Sequence, residues 1–306
     1  MTAWNIGKSI GKILVIGDLM LDRQIIGLAE DFHSEEQASI IDTGIPRYFP
    51  GGSASLASNI RKMGGQVTLA GVIGKDEEGE ILRKILNQKE IPAVLGVEAG
   101  RPTTVREFIR SRQQTPVQVD RNPACEISIG IFNDILKVVA LLLEDIRLIT
   151  ISDYGIGVVT RRLIAAVSEI CAGRNIPVLI DARVTDFSKY RGADVIKSDI
   201  RCMESFYGRE IRDITVLEKS AEIVFSETGC TACIIVKDGN GVILFHSPRK
   251  WIHYTLAAVG NLIDDSEAED IFMAGLSMAI CQGLPVESAC MTASETVSAM
   301  AGETVR

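Results

Sequence analysis

From Asp264 to Asp270 the chain reads Asp-Asp-Ser-Glu-Ala-Glu-Asp, and an apolar run from Ile271 to Ile280 follows at once. An apolar run behind an acidic start is the pattern of a buried helix whose first turn carries carboxylates, which complement the helix dipole. Ser266 with Glu269 three residues on reads as a capping box. The same groups can do chemistry. Asp270 opens the apolar run. Glu267 and Glu269 can hold a cation, and helix-start amides can cradle an anion. A structural cap, a carboxylate-held cation and a phosphate cradle are thus three uses open to one segment. The last conflicts with the two Glu side chains, because like charges about 4 Å apart repel by several kcal/mol at an effective dielectric near 20.

Other polar residues stand at the ends of strand-like runs. Asp18 and Asp22 follow Gly17; Asp153 lies in Ser152-Asp153-Tyr154; Asp181 and Asp199 close later runs. A carboxylate there can accept hydrogen bonds from ligand hydroxyls or cap a turn. Gly51 and Gly52 either admit a ligand close to the backbone or make a tight strand–helix turn, ahead of Ser55 and Asn59. Lys237-Asp238-Gly239-Asn240-Gly241 reads as a hairpin turn. Arg106, Arg183, Lys197 and Arg201 are compatible with phosphate and equally with solvated surface charge.

The elements that must position these residues alternate. Strand-like runs at Lys12–Ile16, Val67–Val72, Leu148–Ser152, Val178–Asp181, Val195–Ile196 and Ala232–Val236 are interleaved with helical spacing at Ser53–Met63, Glu77–Leu86, and about 160–173 and 215–228. This rhythm predicts an α/β fold with a mostly parallel central sheet covered by helices on both faces. Such sheets bind ligands beyond the carboxyl ends of their strands. Gln24–Phe49 and Thr103–Asp120 alternate polar with apolar and are too polar for that sheet. They predict a small antiparallel lid over one edge, within a single domain spanning 1–306.

Composition removes several function classes. A net charge of −8 leaves no basic face for nucleic acid. The most apolar stretch, Ile135–Ile151, is broken by Lys137, Glu144, Asp145 and Arg147, so no membrane span is expected. Met1–Lys12 has no signal-peptide core, and seven Cys suit a reducing, cytoplasmic setting. Cys230-Thr-Ala-Cys233 leads into a strand and reads as packing, with redox or metal use the alternative. Three scattered His suggest no metal cluster.

Taken in order, several motifs resemble the ribokinase/PfkB family of sugar kinases, nearest the bacterial heptose-7-phosphate kinase domain. They are Gly17-Asp18 with Asp22, Pro50-Gly51-Gly52 with Asn59, Gly71-x-x-Gly74-x-Asp76-x-x-Gly79, Ser152-Asp153-Tyr154, Asp181, and Tyr190-Arg191-Gly192-Ala193. The resemblance runs from about residue 11 to residue 300. It implies a Rossmann-like domain with a β-lid, often dimeric through that lid, and phosphoryl transfer from ATP with Mg²⁺ to a hydroxyl of a sugar or sugar phosphate. It places Asp270 as the catalytic base. Asp18, Asp22, Gly51, Gly52, Ser55, Asn59, Arg106 and Asp153 fall on the sugar side. Asp199, Lys237, Gly239, Glu267, Ala268 and Glu269 fall on the nucleotide side. The family's Gly-Ala-Gly is Glu267-Ala268-Glu269 here, its Asn-x-x-Glu is Asp199-Ile200-Arg201-Cys202, and an Asn and a Lys are replaced by Ser55 and Ile156. A lid Arg is absent from Asp31–Gln37. Two functions follow: a carbohydrate kinase, or a pseudokinase kept for ligand binding, regulation or assembly.

Overall fold

Strand β1 (Lys12–Gly17) carries the logic of the main sheet. Ile13 and Val15 enter the core on one face, Leu14 and Ile16 on the other, and none of the four is exposed. A strand apolar on both faces belongs inside a parallel sheet. The computed structural model describes residues 11–33, 38–43, 45–111, 117–122, 125–237, 241–255 and 265–303. In chain order the elements continue as β2 (Leu19–His33), β3 (Ala38–Thr43), β4 (Arg47–Gly52), α1 (Ser53–Lys62), β5 (Gln66–Gly74), α2 (Glu77–Gln88), β6 (Ala93–Glu98), β7 (Thr104–Ser111) and β8 (Val117–Arg121). There follow α3 (Ile129–Leu142), β9 (Ile146–Asp153), α4 (Arg161–Ala172), β10 (Val178–Ala182), a 3₁₀ turn (Phe187–Tyr190), β11 (Val195–Asp199), α5 (Ile200–Tyr207) and α6 (Ile214–Thr228). The last are β12 (Ala232–Lys237), β13 (Gly241–Ser247), β14 (Lys250–Tyr254), α7 (Asp265–Cys281) and α8 (Val286–Glu303).

Nine strands form the main sheet in the order β14-β13-β12-β11-β10-β9-β1-β5-β6, parallel except for the antiparallel β12-β13-β14 edge. The side chains of α1, α2, α7 and α8 build the core on one face, and those of α3 to α6 build it on the other. The expected α/β architecture is present. Ile135–Ile151 does divide into a helix, α3, and a buried strand, β9. No helix among the described residues is long and apolar enough to cross a membrane.

The second sheet has five strands, β3-β2-β7-β8 with β4 against β2. Here the expectation of a purely antiparallel lid needs correction. β2 pairs parallel with β7, Asp22 opposite Arg106, and antiparallel with β3 and β4. The reason is connectivity: β2 leaves the end of β1 through Asp18 and reaches the smaller sheet in the direction that β7 also takes from Thr104. The sheet also begins earlier than Gln24, at Leu19, and ends later than Phe49, at Gly52.

Several turns rest on side-chain caps. Asp76 accepts from the Gly79 N–H at 2.9 Å and the Thr103 hydroxyl at 2.6 Å, which makes the Gly71–Gly79 motif a structural joint. Cys230 and Cys233 are buried, and burial pushes both thiols up in pKa, so they pack rather than react.

Candidate functional site

The carboxyl ends of β1, β9, β10 and β11 meet the start of α7. Asp181 on β10 and Lys197 on β11 stand opposite each other in register. Lys197 is fully buried, and its Nζ donates to Asp181 Oδ1 at 3.0 Å and to Glu269 Oε2 at 2.8 Å. Arg183, just beyond β10, brings Nη1 to 3.1 Å from the same Glu269 oxygen and Nη2 to 3.7 Å from Asp270 Oδ1. Ser55 of α1 donates its hydroxyl to Asp270 Oδ2 at 2.7 Å. Arg183 also lies over the Tyr154 ring, 5.3 Å from its centroid. On the smaller sheet, Arg106 grips Asp22 through two hydrogen bonds of 3.0 and 2.7 Å. Tyr154, half-buried, feels both Arg183 and Arg106 and links that pair to the rest.

Burial sets the charge states. It opposes ionisation of Asp181 and Glu269, yet Lys197 and Arg183 outweigh it and hold both carboxyls below their ordinary values. Burial also works against the Lys197 charge, as does Arg183; Asp181 and Glu269 reverse this and raise the amine. Asp270 differs. Burial pushes it up to about 6, although Arg183 and Ser55 favour its anion. A carboxyl in that range exchanges protons near neutral pH.

The two glycines are spatial requirements. A Cβ on Gly51 would lie 2.3 Å from Asp22 Oδ1, and Gly52, at φ +59°, sits with its Cβ position 2.5 Å from the Asp18 carbonyl oxygen. Ser55 and Asn59 follow on α1.

Several sequence expectations change. The capping box does not form: α7 begins at Asp265, so Ser266 lies within the helix, and Glu269 turns inward to Lys197 and Arg183. The two cations outcompete a single backbone N–H for that carboxylate. Lys197 and Arg183 are therefore not solvated surface charges. Asp18 is 1% exposed and accepts backbone N–H groups from Tyr154, Ile156 and Val158, so it ties down the 154–158 loop instead of facing an open cleft. Arg101 pins the same loop from behind, donating to the Ile156 carbonyl at 2.6 Å; sequence reasoning did not identify it. Asp153 is fully buried, holding the Tyr190 hydroxyl at 2.6 Å, the Gly155 N–H at 2.9 Å and the Lys189 ammonium. Asp199 caps α5 through the Cys202 N–H at 2.7 Å. Lys237 pairs with Gly241 across the β12–β13 hairpin, and Gly239 lies outside the described residues. Glu267 is exposed at the start of α7, and Ala268 packs in the core. Among the described residues no group of three or more His, Cys, Asp or Glu could hold a metal ion.

Known proteins share the sequence pattern and the fold. The chain is similar to "Bifunctional protein HldE" of Geobacter sulfurreducens, 33% identical over 273 residues, which is 89% of this chain and 55% of the relative. It is also similar to the HldE of Trichlorobacter lovleyi, 30% identical over 276 residues, 90% of this chain and 56% of the relative. The chain thus spans about half the length of these curated relatives. Among solved structures, phosphofructokinase-2 from Escherichia coli superposes with a TM-score of 0.77 at 14% identity, over 96% of this chain and 95% of that one. Arabidopsis thaliana ribokinase, complexed with ribose and ATP, gives 0.74 at 13% identity, over 95% and 92%. Residues 11–304 match the family described as "pfkB family carbohydrate kinase", and the chain belongs to that PfkB family.

Proposed function

We propose that this chain binds a sugar or sugar phosphate between its two sheets, with Asp270 as the base that takes the proton of the acceptor hydroxyl in phosphoryl transfer. The observation that carries this reading is the state of Asp270: half-buried, held by Ser55 at 2.7 Å, and raised to about 6. Asp22 and Arg106 face the same cleft from the smaller sheet, which acts as a lid, and Arg106 offers a cation for a heptose-phosphate-like ligand. ATP with Mg²⁺ is the family's phosphoryl donor. The donor side does not fit it as it stands. Glu269 covers Lys197 and Arg183, and the amides of Glu269 and Asp270 lie inside α7, where they bond back to carbonyls four residues earlier. No step is therefore routed through the nucleotide here.

That same feature favours a second reading, a pseudokinase that keeps the sugar-binding half for ligand sensing, regulation or assembly. Two further features belong to either reading. Exposed apolar residues on the lid support a homodimer formed through it. Seven free cysteines accord with a reducing, cytoplasmic setting.

Sugar-dependent ADP release from Mg-ATP tests the proposal, with heptose phosphates and simple hexose phosphates as acceptors. Asp270→Asn is expected to reduce the rate by about 10²–10⁴, the range a positioned base contributes. Release that survives Asp270→Asn would assign the proton to another group. Binding of a sugar phosphate with no ADP release from the wild type would select the second reading.

A further inference from the structure

We propose that the Glu269 carboxylate is a built-in counter-anion, occupying from within the chain an anion subsite made by Lys197 and Arg183 and holding it closed. The proposal rests on reading the start of α7 as the phosphate end of the site. One oxygen, Oε2, takes both cations, at 2.8 Å from Lys197 Nζ and 3.1 Å from Arg183 Nη1. Two cations converging on one oxygen is the geometry that receives a phosphoryl oxygen. Arg183 has capacity left over: its Nε and Nη2 find no hydrogen-bond partner among the described residues, with Asp181 at 3.5 Å and Asp270 at 3.7 Å. A guanidinium supplies more donors than one carboxylate oxygen can use, whereas a phosphate presents several oxygens.

The charges count the same way. Lys197 and Arg183 are two cations; Asp181 matches one and Glu269 the other. Asp270 is a third carboxyl, 3.7 Å from Arg183 Nη2 and held by the Ser55 hydroxyl, with no hydrogen bond to either cation. Removing Glu269 takes the direct partner from Arg183 Nη1 and one of two from Lys197 Nζ, and buried donors left without a partner draw in a counter-ion. A shorter side chain at 269 also vacates the volume that the carboxylate fills. The occupant so admitted is a small oxyanion, free or as the end of a larger ligand.

Glu269→Ala and Glu269→Gly in the full chain test this, probed with inorganic phosphate, pyrophosphate and formate against chloride at fixed ionic strength. Thermal melts and titration calorimetry are the readouts. Both variants are expected to melt below the wild type in chloride, to regain stability saturably with phosphate or formate, and to bind phosphate at least tenfold more tightly than the wild type. Adding Lys197→Met to Glu269→Ala is expected to remove that response. Folded variants that bind phosphate within twofold of the wild type would overturn the proposal, because Asp270 alone would then be balancing the cations. Should the small side chains prevent folding, Glu269→Gln keeps the volume and removes the charge. Its melting temperature is expected to rise with formate or phosphate more than the wild type's does, and an equal response would overturn the proposal.

The outcomes separate from those for catalysis. A phosphate site opened in the variants with no sugar-dependent ADP release in any form supports the subsite and removes the kinase reading. Wild-type ADP release with no anion response in the variants does the reverse.

Discussion

Asp270 carries opposing demands, and pH separates them. Its carboxyl is raised to about 6 by burial, against Arg183 and Ser55. A carboxyl raised on folding holds its proton more tightly in the folded chain. Its stabilising contribution is therefore present below the unfolded value near 4 and lost as pH climbs to about 6. That difference corresponds to about 3 kcal/mol of stability forgone at neutral pH. Asp181 and Glu269 have the opposite sign. Both are held below their ordinary values, so their contribution is present above about pH 4.5 and lost as pH falls through the folded values. Asp270→Asn should thus be more stable than the wild type by on the order of 2–3 kcal/mol at pH 7.5, and by nothing at pH 4. Thermal melts from pH 4 to 8 check this, and parallel curves for the two proteins would show that the carboxyl is not raised. On the proposed reading, Asp270 costs stability while it waits for substrate, the usual trade at a catalytic position.

At the scale of elements, β10, β11 and α7 are clamped by a single ammonium. Lys197 joins Asp181 beside it to Glu269, 72 positions further along the chain. Replacing it with Met leaves two buried carboxylates with Arg183 alone, and should cost about 3–5 kcal/mol. Glu269→Ala should cost less, since Asp181 still pairs with Lys197. Denaturant unfolding of the two variants gives that order, and a reversed order would place the clamp elsewhere. The clamp itself was not legible in the chain. Lys197 directly follows the apolar run Val195-Ile196; read as a phosphate contact or surface charge, it is buried because β11 continues to Asp199. The βαβ rhythm and the glycines of the β4–α1 turn were legible, because local spacing sets them. The direction of Glu269 was not. A capping box and an inward ion pair use the same residue at the same helical position, and only the cations brought in by distant strands decide between them. Asp18 and Asp153 misled for a related reason. A carboxylate at a strand end can meet a ligand or a loop, and the 154–158 loop, Lys189 and Tyr190 take these two.

Across the whole molecule, the smaller sheet turns different chemistry to each side. Residues paired across strands share a face. Asp22 and Arg106 pair and bond on the face that looks into the cleft. Arg23 pairs with Glu107, and Glu107 with Val119, so these lie on the other face, as do Val117 and Tyr48. There Val117 is 51% exposed, Val119 50% and Tyr48 36%. Ile26 and Phe49 are exposed as well, on the side of Asp22 and Arg106. Period-2 alternation was visible in the sequence, but the parallel β2–β7 pairing that sorts the faces joins segments 84 positions apart. Small exposed apolar patches on a β-sheet invite a second copy, and a homodimer through the outer face would bury Val117 and Val119. Sedimentation should then report a dimer for the wild type and a monomer for Val117→Glu with Val119→Glu, with unchanged far-ultraviolet circular dichroism. Because β8, which carries Val117 and Val119, pairs with β7, which carries Arg106, the monomer should also bind sugar phosphate several-fold more weakly. A wild-type monomer at micromolar concentration would end the dimer reading. A monomeric variant with undiminished sugar affinity would show that β2 and β7 hold their alignment without a partner, through the Asp22–Arg106 and Arg23–Glu107 pairs alone.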